Sequence, residues 1–219
     1  MTRKRLFSEN FFPEIIELDI KDEIDGFERV VLGRLFSSFN SIEDEAQEKS
    51  KNFLERRSRS FNPDYDDEGI IAEDVYFVEL NHIFMEEKLK QEFLNYSVVW
   101  LNHIFEEQKN RIFGEISQDE IQKELGNSYD LNRCLYWISL NREMRVIANA
   151  IKHGMDSGAA KTDSKKFPYF IVDRRIKVEK IIIQKYIENL RCFWKKALNG
   201  RIASFHRCAV ERQTGLSLD

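Results

Sequence analysis

Residues 75–105 read VYFVELNHIFMEEKLKQEFLNYSVVWLNHIF, and their spacing decides the fold class. Val75, Val78, His82, Met85, Leu89, Phe93, Tyr96, Trp100 and Ile104 recur at steps of three and four, the repeat that holds side chains on one face of an α-helix. A second apolar line, Leu80, Ile83, Leu94, Val98, Leu101 and Phe105, lies well round from the first. A helix that is apolar on more than one side belongs in the middle of a bundle. Within the stretch, Leu80-Asn81-His82-Ile83-Phe84 recurs as Leu101-Asn102-His103-Ile104-Phe105. Three heptads separate the copies, about 30 Å along the axis. His82 and His103 sit on or beside the apolar lines and read as core histidines.

Working outward, residues 22–57 carry Phe27, Val31, Leu35, Phe39, Ile42, Ala46 and Phe53 at helical steps, with Gly26 and Gly33 loosening the start. Ser58 to Gly69, with Asn62-Pro63 and an acidic run, reads as a loop. Asp64, Asp66 and Glu68 with Gly69 imitate the start of a calcium loop, but the twelfth position is Val75 and supplies no carboxylate. Ser117-Gln118-Asp119-Glu120 is a capping box that opens a short helix ending before Gly126. Asp130 is placed to cap the next helix, which closes at Gly154. Gly154 to Pro168 is small and polar, hence a loop, and Phe170-Ile171-Val172 suits a brief strand. Residues 177–198 are helical again, with a stop expected at Gly200. The reading is all-α: an antiparallel helical bundle of five to seven helices with long central helices. Residues 1–200 form one domain, and 201–219 a basic tail or short helix.

Composition agrees. Three prolines and nine glycines in 219 residues leave helices uninterrupted, and 17 Phe, 7 Tyr and 3 Trp supply a core. The net charge of −4 argues against a surface basic all over, so any nucleic-acid binding must use a local patch. No apolar run approaches the roughly 20 residues of a membrane span, and no secretory leader is expected after the basic start. Cys134, Cys192 and Cys208 form no C-x-x-C pair and read as reduced thiols of a cytoplasmic protein. No metal-ligand spacing and no phosphate-cradling glycine loop occurs, so no metal and no cofactor is expected.

One helix concentrates polar chemistry. At about 100° per residue, Arg142, Arg145, Asn149, Lys152 and His153 fall within roughly a 100° arc. Trp137, Leu140, Met144, Ile147 and Ile151 gather opposite. Two readings of this front stay open. Lys152 and His153 in the last turn offset the negative end of the helix dipole, by roughly 0.3–1 kcal/mol each, and the arginines are then a solvated face. Alternatively, a positive, proton-transferring stripe suits a phosphodiester.

The segment Ala148-Asn149-Ala150-Ile151-Lys152-His153-Gly154 resembles the motif helix of the HEPN superfamily, the helical-bundle group common in bacterial toxin–antitoxin and antiphage systems. Active members carry arginine, a polar residue that is often asparagine, three more residues and histidine. Asn149 and His153 stand in the polar and histidine positions, whereas Ala148 occupies the arginine position. The resemblance implies a metal-independent endoribonuclease with a site at a homodimer interface. His153 would transfer the proton for attack of the ribose 2′-hydroxyl, a role that suits imidazole because it titrates near neutrality. Asn149 would position it, and Arg145, four residues before Asn149, would stand in for the missing arginine. Lys152 and Arg142 would face phosphate. RNA or a nucleotide is then the ligand, and an antitoxin or effector protein a further partner. The alternative is a non-catalytic helical interaction module that kept the bundle and lost the arginine.

Overall fold

Pro13 lacks the amide hydrogen that a first helical turn leaves unpaired anyway, and it begins α1 (Pro13–Phe27). The computed structural model describes residues 13–126, 130–154, 171–172 and 175–214, with side chains for 15–126, 130–154 and 175–199. The path beyond α1 stays helical but changes pitch. It is π-helical over Glu28–Leu35 and 3-10 over Phe36–Ser41, before α2 (Ile42–Ser60). The periodicity predicted one helix over 22–57. Serine chemistry explains part of the difference: the Ser37 and Ser38 hydroxyls donate to the carbonyls of Arg34 and Leu35 at 2.7 and 2.6 Å. Such short-range bonds compete with the regular amide ladder.

The acidic loop resolves into a turn and a cap. Tyr65 N and Asp66 N donate to the Asn62 carbonyl, Asp66 Oδ2 accepts from Asn62 N, and Asp67 Oδ1 accepts from Gly69 N at 2.7 Å. Two carboxylates of the would-be calcium loop thus serve its own backbone. The chain then enters α3 (Glu68–Phe113), an uninterrupted helix of 46 residues. The Ser117 box is present in full and opens α4 (Gln118–Leu125), which Gly126 closes at φ 74°. Asp130 does not cap the following helix. Its side chain accepts from Asn132 N at 2.9 Å in a turn, and Cys134 takes the cap, its Sγ accepting from Trp137 N at 3.4 Å. From there α5 (Leu135–Trp137), a π-helical stretch (Ile138–Met144) and α6 (Arg145–His153) follow without a gap.

β1 (Ile171–Val172) and β2 (Arg175–Ile176) form a two-residue antiparallel ladder, Ile171 opposite Ile176. The last element, α7 (Lys180–Thr214), runs 35 residues and passes through Gly200, where a stop was expected. A glycine in a helix interior costs about 0.5–1 kcal/mol, which is too little to end a long helix by itself. The loop expected over residues 155–168 lies outside the described residues, as do the side chains of the basic tail. The fold is an all-α helical bundle, and among the described residues no helix is long and apolar enough to cross a membrane.

The described residues sort into two compact units. One comprises those from Arg29 to Leu94. Here Val31, Leu32, Ile42, Ala46, Ile71 and Leu94 are buried, and the rings of Phe36, Phe39 and Phe93 meet with centroids 5.6–6.3 Å apart. His82 is a buried histidine in this core: Lys49 Nζ lies 2.8 Å from its Nδ1, while Glu45 Oε2 stays 3.7 Å from its Nε2, beyond hydrogen-bond range.

The other unit comprises the described residues up to Glu28 and those from Asn95 on. Its centre is aromatic. Phe105, Trp137, Phe193 and Trp194 pack with centroids between 4.9 and 6.3 Å, and Phe113 stacks on Trp194. Edge-to-face and offset pairs of this kind add to plain burial. A polar chain leads out of that core: Trp194 Nε1 donates to Gln108 at 2.7 Å, Gln108 to Glu23 at 2.9 Å, and Arg111 to Glu23 at 2.8 and 3.0 Å. Asn95 clamps the lead-in to α7, donating to the Ile176 carbonyl and accepting from Val178 N. On α3 it is the second apolar line, Val98, Leu101 and Phe105, that is buried here, whereas Tyr96 and Trp100 of the first line are exposed. His103 is no core histidine. Its side chain is two-thirds exposed and pairs with Glu107 one turn on, at 3.2 Å.

Candidate functional site

The polar front rests on the π-helical stretch and α6. A π-turn holds more residues than an α-turn, and four of the seven between Ile138 and Met144 are buried: Ser139, Leu140, Glu143 and Met144. In α6, Ile147, Ala148 and Ala150 are buried as well. The apolar back predicted from the wheel is therefore in place, with Trp137, Leu140, Met144 and Ile147 each at most 2% exposed. Gly154, at φ 74°, ends the helix with the left-handed backbone that glycine adopts most readily.

On the opposite side, Arg142, Arg145, Lys152 and His153 are exposed, and Asn149 is half-buried. Among the described residues none of these five side chains has a hydrogen-bond or ion-pair partner. Asn149 and His153 are i and i+4, close enough on a helix to interact. Arg145 is two turns before His153, about 12 Å by the axial rise, and helical side chains lean toward the N-terminus, away from His153. Within one chain the arginine and the histidine therefore do not converge. Lys152 and His153 also lie at the negative end of the helix dipole, so the field at this front is most positive toward Arg142 and Arg145.

Ala148 is fully buried. The position that carries arginine in the resembling motif thus points into the core and away from the front. Glu143, by contrast, was not singled out from the sequence, yet it is the polar centre of the inner face. Its Oε1 accepts from Tyr186 Oη at 3.0 Å and from Lys185 Nζ at 3.4 Å. Ser139 accepts from Asn189 at 2.9 Å beside it. The signal was available: at 100° per residue Glu143 falls about 40° from Ile147, on the apolar side. Because Glu143 is turned inward, the helical run from Ile138 to His153 shows three cations and no exposed carboxylate. Among the described residues no group of three His, Cys, Asp or Glu side chains is arranged to hold a metal. No known family model, curated protein or solved structure matches this chain.

Proposed function

We propose that the front formed by Arg142, Arg145, Asn149, Lys152 and His153 acts on RNA or a nucleotide, in the manner of the HEPN proteins its motif resembles. The observation that supports the reading is the unopposed charge: three exposed cations and an exposed imidazole with no internal partner among the described residues. Cations not engaged by the protein's own carboxylates are available to phosphate oxygens, for which guanidinium and ammonium groups are the usual donors. In this reading Arg142, Arg145 and Lys152 bind phosphate, His153 moves the proton and Asn149 positions it. A homodimer would bring one copy's arginine toward the other's histidine. The setting is the cytoplasm, in a defence or toxin system with an antitoxin or effector as protein partner.

A second reading is favoured by the burial of Ala148, which leaves the motif without its arginine on the reacting side. In it the same face binds a nucleotide or a partner without turnover. One experiment separates the two. Purified protein is incubated with cellular RNA in the presence of a chelator, alongside His153→Ala. Cleavage that disappears in the variant supports the nuclease. RNA binding without cleavage, weakened by Arg142→Ala and Arg145→Ala and by added salt, supports the binding module. Cleavage equal in both proteins, or no binding at all, removes the face from consideration.

A further inference from the structure

The backbone of β2 runs beside α6, with Cα atoms of the two within 8 Å. Asn95 of α3 fixes it there. Its amide nitrogen donates to the Ile176 carbonyl at 3.0 Å, and its oxygen accepts from Val178 N at 3.1 Å. Val178 is buried and Ile176 half-buried. Side chains alternate along an extended chain, so Arg175 and Lys177 point the other way, and both are exposed. Among the described residues neither has a hydrogen-bond or ion-pair partner.

α6 likewise turns its apolar side inward: Ile147, Ala148 and Ala150 are buried, while Arg145, Lys152 and His153 are exposed. The outward sides of two adjacent elements make one surface. Five cations without internal partners gather on it, Arg142, Arg145 and Lys152 from the helical run and Arg175 and Lys177 from the extended chain. Among the described residues of 138–154 and 175–180, Glu179 is the one exposed carboxylate. It stands just before α7, where a negative charge offsets the positive end of a helix, and it pairs with neither Arg175 nor Lys177.

Such a row is too long for a mononucleotide. Arg145 and Lys152 are two turns apart, about 10 Å along the axis, and side chains on a helix lean the same way, so they meet different phosphates. Taking the α6 front as the phosphate surface proposed for it, we infer that this surface continues onto β2, where Arg175 and Lys177 form a second phosphate-binding limb for an RNA strand of several nucleotides. Because Asn95 already holds the backbone of that limb, little freedom is lost when it binds, which favours affinity.

The test uses the full chain and labelled oligouridylates, a trimer and a longer strand of about twelve nucleotides, within the span of known single-strand sites. Both carry 2′-O-methyl groups, so that attack by the 2′-hydroxyl cannot consume them. Fluorescence anisotropy should show the long strand bound more tightly than the trimer. Arg175→Ala with Lys177→Ala should weaken the long strand at least about tenfold and leave the trimer little changed. The slope of log affinity against log salt should become shallower by about 1.4, two contacts at roughly 0.7 each on a single strand. A charge-matched control on α2, Lys51→Ala with Arg56→Ala, should leave affinity and slope unchanged, and equal melting temperatures show that both pairs fold as the parent does. Loss of binding in Arg142→Ala with Arg145→Ala, but none in the β2 pair, overturns the second limb and leaves the α6 front standing. Equal weakening by the α2 control also overturns the limb, since net charge alone would then explain the loss. Weakening by the β2 pair with the α6 pair neutral overturns the α6 front and its continuation together, and so does a parent that binds neither strand.

Discussion

Tyr186 donates its hydroxyl to Glu143 at 3.0 Å, and both residues are buried. This bond ties the π-helical stretch to α7, with Lys185 reaching the same carboxylate oxygen from a half-exposed position. A buried carboxylate depends on its donors more than they depend on it. Tyr186→Phe should therefore cost about 1.5–3 kcal/mol in urea unfolding, in the range of a hydrogen bond to a charged group. Lys185→Ala should cost under about 1 kcal/mol, because an exposed ammonium is screened by water. The reverse ranking would assign the carboxylate to the ion pair and leave the tyrosine as packing.

Cys192 offers a pH-dependent check on the same helix. Burial first, then the hydrogen bond and charge of Glu188, push its thiol above the ordinary cysteine range, with Sγ 3.4 Å from Glu188 Oε1. The thiolate is the reactive form. A raised pKa leaves less of it at a given pH, so the deficit is largest near and below the ordinary value and closes as pH rises past the shifted one. With Cys134 and Cys208 replaced by serine, iodoacetamide at about pH 8 should label Cys192 more slowly than a cysteine in a free peptide. Glu188→Gln should speed labelling without reaching the peptide rate, since burial remains. Labelling at the peptide rate in the parent protein would remove both causes.

The class of fold was legible because it depends on spacing alone. The steps of three and four from Val75 to Ile104, the Ser117 box and Gly154 place their elements correctly. Which side of α3 would be buried was not legible, since two apolar lines compete and the line of Phe105 is the one met by distant rings such as Phe193. Asp130 misled because an aspartate suits a turn as well as a helix cap, and Cys134, four residues on, is an uncommon cap. Gly200 misled because a single glycine's cost is small against α7's length. At the candidate site the five front residues lie where the wheel put them, exposed or half-exposed. Glu143 falls on the apolar side of the wheel, so its inward turn was legible by spacing; that Tyr186 and Lys185 would hold it there was not, since both come from a distant helix.

Ala148 permits a direct experiment on the missing arginine. The residue is fully buried, flanked along the helix by Met144 one turn before and Ile151 at i+3. An arginine there would add volume to a filled site and bring a charge with no carboxylate on the same helical face, since Glu143 is already held by Tyr186 and Lys185. Overpacking and an uncompensated buried charge are each among the costliest single changes. Ala148→Arg should therefore lose at least about 3 kcal/mol of stability, whereas Arg145→Ala, on the exposed front, should stay within about 0.5 kcal/mol of the parent. The two are compared by urea unfolding and by RNA cleavage in parallel. A stable Ala148→Arg protein that cleaves RNA faster than its parent would mean that position 148 opens onto the front after all, and that the chain needs only this one side chain to complete the motif.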